Sequence, residues 1–511
     1  MMAIFFRSRA LMVAPLAAML MWNPLSAFAQ TSTDADPTIV RDLDAFIERV
    51  MATDLTPGIG VAVVRGTNVI YAKGFGFADR ERGRRATADT QFYVASTTKS
   101  FTALAGAVLA SRGLIDLEMP LSRALPGAKW HPQLSPDQIT LRDLLTHTHG
   151  IMGGPIEIRT AFTGEFTNAQ LLDILKFHGP AATGRSFAYS NLGYNIFGMV
   201  LDEKFKEGWK QVLQGEVFDP LDMQSTTAWI SKVDPNRLAQ PYELRPGGRP
   251  ERVAYAKRDE NMQAAGGHLS TANDLARYLI AHLNGGRING RQALPEAAVR
   301  LTHRQQVEQN RNYGSFHRFV RGLGWDLATY DGDTILQRFG AFQGFDSHVS
   351  FMPERAIGVV VLANGGGASS FVADMIATYA YDRVLAKPTL PVRSEERWKA
   401  FVDEVARARA FIAKDLATRQ ARPQTTPLPL DAYVGVYESP ALGRMVWTLE
   451  NGRLHVRMGV AVGDVEMFNG PQHEFRITLT GGGSVVAFDV APGARQPSGL
   501  RWANQAFTRI Q

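Results

Sequence analysis

Phe92-Tyr93-Val94-Ala95-Ser96-Thr97-Thr98-Lys99-Ser100-Phe101-Thr102-Ala103 is the stretch on which the reading of this chain turns. A β-rich run ends there, and a long apolar helix through Leu104, Val108 and Leu109 begins. Ser96 falls at or near the helix N-terminus, where a hydroxyl is favoured and backbone N–H groups lack partners. Lys99 lies one turn on, and residues three apart share a helix face. The amine therefore reaches the hydroxyl, and Ser-x-x-Lys becomes a nucleophile with its activator built in. Positive potential at the helix start favours an oxyanion in the same place. A chain of 511 residues contains roughly one such spacing by accident, and a lone match equally describes an N-cap serine with a solvated lysine.

Outward from this stretch, the apolar pattern predicts a sheet. Upstream, residues 58–64 and 69–76 read as strands joined by Gly66-Thr67-Asn68, a hairpin signal. Before them, Ile39, Leu43, Phe46, Ile47 and Val50 repeat at helical spacing over 39–51. Downstream, 116–283 changes to helices and irregular loops. A capped helix runs from Thr140 toward Gly150, others cover 168–176 and 191–206, and Ser270-Thr271-Ala272-Asn273-Asp274 starts a further one. Strand signals return at 347–352 and 357–364, and a helix follows over 371–385. The second of these runs is continuously apolar, as a central strand is. The expected fold class is α+β: an antiparallel sheet flanked by helices, with an inserted helical lobe.

A second boundary follows. Residues 393–420 form a charged helix, and Arg422-Pro423-Gln424-Thr425-Thr426-Pro427-Leu428-Pro429 is a stiff Pro-rich linker. Beyond it, strands are expected at 433–437, 445–449, 454–458, 474–479 and 485–490, with turns at Asn451-Gly452 and Gly481-Gly482-Gly483. This is the pattern of a small antiparallel barrel or sandwich. It carries no catalytic constellation, so packing, homo-oligomerisation or substrate gating is its expected role. The expected division is a signal peptide at 1–29, a catalytic domain at 38–388, a helix and linker at 389–429, and a C-terminal β-domain at 430–511.

Totals set limits. Without cysteine, disulfides, thiolate catalysis and cysteine zinc sites are excluded. A formal charge of +6 is small for this length and scattered, so no nucleic-acid partner is expected. Arg7 and Arg9, the apolar run 10–20 and Ala27-Phe28-Ala29 read as an export signal with its cleavage site. Pro15, Asn23 and Pro24 break that run, so no stable membrane anchor is expected after cleavage. A periplasmic or secreted bacterial location follows as an expectation.

Phe187-Ala188-Tyr189-Ser190-Asn191-Leu192-Gly193-Tyr194 supplies the second part of a site. A phenol acts as a base near neutral pH only if its pKa is lowered, and an ammonium such as Lys99 does that. Asn191 offers a donor and an acceptor suited to a substrate amide. Singly, Tyr189 reads as a core aromatic and Asn191 as a helix cap. Together, Ser96-Thr97-Thr98-Lys99, Tyr189-Ser190-Asn191, Leu144-Leu145-Thr146-His147-Thr148-His149-Gly150 and Ala265-Gly266-Gly267-His268-Leu269-Ser270-Thr271 resemble the serine β-lactamase and penicillin-binding-protein superfamily. The resemblance is to its class C-like branch of β-lactamases, DD-peptidases, D-aminopeptidases and esterases, and it spans about 42–385.

The resemblance implies acyl transfer. Ser96 attacks a carbonyl, Lys99 and Tyr189 move the proton, and the backbone N–H groups of Ser96 and Ala341 form the oxyanion hole. Spacing does not choose whether Lys99 or Tyr189 takes the first proton. The family's third element, Lys-Thr-Gly or His-x-Gly on an edge strand, corresponds to Arg338-Phe339-Gly340 before Ala341, with Gly344-Phe345 fixing the register. This puts Gly340, Ala341 and Arg338 in the substrate site. Arginine keeps its charge and offers a carboxylate-matching fork but does not shuttle protons. It points to an anionic substrate group and away from β-lactam turnover; the alternative turns Arg338 out to solvent. The expected protein is an exported serine hydrolase of amides or short peptides, with D-residues or a free carboxylate fitting the site. A carboxylesterase using the same residues and a non-hydrolytic cell-wall-binding protein are the alternatives. No cofactor or metal is expected: His147-x-His149 lacks a third ligand, and His268 reads as a packed loop residue.

Overall fold

A computed structural model describes residues 36–511 apart from Pro246, Tyr255, Ala256 and Ala368. The export signal expected at 1–29 lies outside the described residues. Nine antiparallel strands form the main sheet, in the spatial order Val307–Tyr313, Phe316–Arg321, Asp326–Tyr330, Asp333–Phe342, Phe345–Met352, Ile357–Ala363, Gly58–Arg65, Asn68–Asp79 and Arg84–Arg85. The N-terminal hairpin thus joins the C-terminal strands through the pairing of Val61 with Val361.

The central strand is continuously apolar because both its faces are covered. Val360 and Leu362 join one core with Leu104, Val108, Leu275 and Leu279. Val359, Val361 and Ala363 join the other with Leu43, Ile47, Ile376 and Tyr381. The helix Thr98–Ser111 therefore lies on one face, and Pro37–Met51 and Ser369–Val384 lie on the other. Ala272–Leu283, read from sequence as part of the helical block, packs on the sheet. Between Ser111 and Leu269 the chain builds short helices, among them Leu141–Thr146, Asn168–Ile174 and Leu192–Lys204. That region also holds a small ribbon, Tyr242–Leu244 paired with Pro250–Arg252.

Sequence patterning does not mark the outer strands Val307–Tyr313 to Asp326–Tyr330. The first is largely exposed and polar, so no apolar alternation reveals it. After the long helix Leu390–Gln420, eight strands close into a barrel. Its strands include three that the apolar runs do not mark: Ala461–Asn469, Gly499–Trp502 and Gln505–Arg509. The barrel abuts the helical region: Arg159 Nε donates to the Ala441 carbonyl at 2.8 Å, and the Val460 N–H to the Thr163 carbonyl at 2.9 Å.

Candidate active site

Ser96 does not cap the helix. It sits in a 3₁₀ turn, Ala95–Thr97, that leads into Thr98–Ser111, and its side chain makes no capping bond. The preceding residue, Ala95, holds φ at +44°, a left-handed conformation that non-glycine residues rarely adopt. Contacts with the sheet hold this turn: Ser347 Oγ donates to the Val94 carbonyl and lies 2.8 Å from Thr97 Oγ1. Gly340 explains how the turn seats so closely. A Cβ there would come within 2.1 Å of the Val94 carbonyl oxygen and 2.8 Å of the Ser96 nitrogen. Gly340 therefore faces the backbone of the turn and not a ligand, which corrects its expected place among substrate contacts.

The strand Asp333–Phe342 is paired on both sides only at Leu336 and Gln337. Pairing with Asp326–Tyr330 runs from Asp333 to Gln337, while pairing with Phe345–Met352 runs from Leu336 to Phe342. Residues 338–342 thus have an open edge on the first side. A tight turn pairs Phe342 with Phe345, so alternation in the antiparallel ladder puts the Ala341 N–H on that open edge. Ala341 lines the cleft together with Ser96, Tyr93, Asn191, Gln263 and Gly266, within a cavity of about 510 Å³.

Around Ser96 Oγ the predicted groups converge. Lys99 Nζ donates to it at 3.2 Å, and the Tyr189 hydroxyl lies 2.9 Å from it. Lys99 is fully buried and also donates to Asn191 Oδ1 at 2.6 Å and to the Ala265 carbonyl at 2.7 Å. Asn191 stands at the start of Leu192–Lys204 without making a capping bond, so its carbonyl is free to take the lysine. Two motifs seen in sequence gain a function here. Ala265 supplies a carbonyl to Lys99. His147 packs its ring 4.7 Å from that of Tyr189 and accepts the Ser190 N–H, which fixes the tyrosine loop. Burial and the nearby cations hold His147 neutral.

The electrostatics of the three groups are coupled. Burial pushes the Lys99 amine down, to about 8, against the pull of Tyr189. Burial alone would push the Tyr189 phenol up, but the charges of Lys99 and Arg338 draw it down to about 7. Tyr189 as a whole is 43 % exposed, because its ring forms the rim while its hydroxyl turns inward. An ammonium beside a phenolate is therefore the protonation state that this geometry favours.

Arg338 takes neither expected orientation. It is 3 % exposed, so it does not reach solvent, and its fork is spent inside the protein. Nε donates to the Ser96 carbonyl at 2.9 Å, Nη2 to the Tyr189 hydroxyl at 2.9 Å, and Nη1 to Asp326 at 3.2 Å. The expectation that Arg338 presents its fork to a substrate carboxylate is corrected accordingly. Asp326, which sequence reasoning missed, is the anchor. It also pairs with Arg321 directly across the strand at 3.0 Å, and with Arg318 at 3.6 Å. Three guanidinium groups around one buried carboxylate leave a net positive field behind Tyr189, and they hold the Asp326 carboxyl well below its usual range against its burial.

The remaining lining of the cavity differs. Glu157 and Glu243 belong to it, with Gln343, Gly366 and Gly367, and the barrel closes it with Thr480, Gly481 and Gly482. Gly481 packs so tightly that a Cβ would lie 2.5 Å from Gln343 Nε2. Apart from the turn signal at Gly481-Gly482, none of these residues carries a sequence signal of its own. Among the described residues no group of three or more His, Asp or Glu is placed to hold a metal ion.

Residues 43–381 match the family model described as Beta-lactamase. Protein flp of Staphylococcus aureus (strain MW2) is 25 % identical over 333 residues, and the chain spans 63 % of that protein's length, with 63 % of its own covered. Unguisins hydrolase ungD of Aspergillus violaceofuscus (strain CBS 115571) is 25 % identical over 450 residues, covering 78 % of this chain and 75 % of that one. The octameric penicillin-binding protein homologue from Pyrococcus abyssi shares the fold, with a TM-score of 0.58 at 21 % identity, over 91 % of this chain and 99 % of that one.

Proposed function

The chain belongs to the beta-lactamase family, and from that premise we propose that it is a serine hydrolase working through an acyl-enzyme on amide or short-peptide substrates. The observation that carries this reading is the convergence of Lys99 Nζ and the Tyr189 hydroxyl, at 3.2 and 2.9 Å, on one serine oxygen at a cleft. Tyr189, as phenolate, takes the proton from Ser96 Oγ while the oxygen attacks the substrate carbonyl. Lys99 keeps the phenolate charged and is itself held in place by Asn191 and Ala265. The Ser96 and Ala341 N–H groups receive the developing oxyanion; one such donor is worth about 2.7–4 kcal/mol in the transition state. Tyr189 then passes its proton to the leaving group, and the vacated phenolate activates the water that releases the acyl group.

The hydrolase reading accords with the relative named unguisins hydrolase, similar over 78 % of this chain; the preference for amides over esters is decided by the substrate panel. Export, and assembly into a homo-oligomer through the C-terminal barrel, are proposed on the same footing; the second accords with an octameric homologue of the same fold. The test is purified protein against p-nitrophenyl esters, D- and L-aminoacyl p-nitroanilides, nitrocefin, and linear and cyclic peptides. Turnover of amides is expected, lost about a thousandfold or more in Ser96→Ala at unchanged thermal stability. Ester cleavage without amide cleavage would replace the peptidase reading by the esterase one, and stoichiometric labelling without product would leave a binding protein.

A further inference from the structure

The cleft that holds Ser96 is lined by two ionisable carboxylates and, among its lining residues, by no lysine or arginine. The cations nearest the nucleophile, Lys99 and Arg338, lie behind it with their donors spent on protein atoms. The charged groups in the lining itself are therefore all acidic, although the chain as a whole carries +6. The two carboxylates are not equivalent. Glu157 accepts three backbone N–H groups, from Gly154 at 2.9 Å and from Asn191 and Leu192 at 3.0 Å each. Its oxygens are occupied, and they serve to place Asn191.

Glu243 is different. It lies on the short strand Tyr242–Leu244 and is bridged in parallel to Gly366, whose missing side chain makes room for it: a Cβ at Gly366 would lie 3.1 Å from its Cγ. One backbone donor, the Gly344 N–H, reaches its carboxylate; Arg245 acts on it at longer range, and among the described residues no ion pair is made with it. Burial pushes its carboxyl up, the sign of a charge short of partners. The nearest charged neighbour to act on it besides Arg245 is another acid: the Asp346 carboxyl is buried, bonded to Ser369 and raised further by Glu243 itself. The barrel hairpin at Thr480, Gly481 and Gly482 walls the same cavity, which restricts the water available to compensate. A half-buried carboxylate with open lone pairs in such a cavity gains most from a charged N–H donor.

We infer that Glu243 selects substrates carrying a protonated amine, its carboxylate pairing with that ammonium while Ser96 attacks the carbonyl. The inference rests on the acyl-transfer reading of the same cleft and narrows it to cationic substrates. It reverses the expectation, drawn from Arg338, of an anionic one.

Two measurements test it. The first compares kcat/KM for D- and L-aminoacyl p-nitroanilides with that for their N-acetyl forms. A preference of at least about tenfold for the free amine is expected, shrinking about tenfold in Glu243→Gln and only partly in Glu243→Asp. The second needs no turnover: butylamine and hexylamine are expected to slow fluorophosphonate labelling of Ser96 more than butanol and hexanol do, and to lose that advantage in Glu243→Gln. Stoichiometric labelling of each variant shows that it is folded. Equal protection by amines and alcohols, or an amine preference that survives Glu243→Gln, overturns the inference alone. Failure of wild-type Ser96 to label overturns the acyl-transfer reading and takes this inference with it.

Discussion

The groups packed behind Ser96 and those that line its cavity use charge in opposite ways. Behind Ser96 lie Lys99, Arg338, Arg321 and Arg318, gathered with Asp326, every one of them turned into the protein. Elsewhere on the cavity lining stands Glu243, whose carboxylate takes a single backbone donor. A buried cation whose donors end on protein atoms acts on the protons of its neighbours, and here it lowers the Tyr189 phenol. A carboxylate on the cavity wall acts instead on whatever enters. Charge thus tunes chemistry on one side and selects substrate on the other, and both its sign and the direction in which each side chain faces separate the roles.

The largest test of this contrast is Lys99→Met. Removing the ammonium takes away the charge that holds the phenolate and frees Tyr189 to return toward an ordinary phenol. A loss of about a thousandfold or more in kcat/KM is expected, with the residual activity rising only at strongly alkaline pH. In the wild type the productive pair, phenolate beside ammonium, forms as pH rises through about 7 and is lost as Lys99 gives up its proton above about 8. A bell-shaped kcat/KM profile centred between those values is the expected result, its limbs belonging to the pair. A flat profile across pH 6 to 9 counts against it.

Arg338→Ala comes next. It removes one of the two charges on Tyr189 and the donor to the Ser96 carbonyl, and it leaves Asp326 with two of its three arginines. A fall of about 10- to 100-fold in kcat is expected, with the acid limb displaced to higher pH. The loss should be the same for neutral and carboxylate-bearing substrates. A selective rise in KM for the anionic ones would place Arg338 in the cleft after all and break that division of roles.

The smallest effect concerns Lys257, a buried cation on the substrate side. Its amine donates to the Ala161 carbonyl at 2.6 Å and the Asn261 carbonyl at 3.1 Å, and lies 4.3 Å from the Phe342 ring centroid. Burial, with no carboxylate to offset it, pushes the amine down to about 7. Between that value and the ordinary lysine range the unfolded chain binds more protons than the folded one, so this residue makes stability rise with pH. Lys257→Met removes that contribution. Denaturant titrations at pH 7 and 9 should show the wild type gaining relative to the variant, on the order of 1 kcal/mol; parallel curves would mean that the amine stays charged.

Legibility followed locality. The helix Pro37–Met51, the hairpin Gly58–Asp79 and the strand Ile357–Ala363 announce themselves because their apolar residues repeat at the period of the element. Val307–Tyr313 does not, since its side chains face water on an edge, where the alternation that betrays a strand is absent. Ser96, Lys99, Tyr189 and Asn191 were each legible through a short motif. Asp326 and Glu243 were not: each is one acid among 49 acidic residues, and nothing nearby in sequence distinguishes a carboxylate that anchors three arginines from one in solvent.

By itself, then, the sequence determined the nucleophile and its amine, because a spacing of three across the 3₁₀ turn and the first residues of the helix brings Lys99 to Ser96. It also determined the apolar strands that must be buried. Tertiary structure alone decided what the remaining charges do. Arg338 meets the Ser96 carbonyl across 242 residues of chain, and Glu243 meets the cavity only because Gly366 and the barrel hairpin close around it. A long charged side chain carries no local preference strong enough to fix its direction; the partners that fold against it set where its field ends.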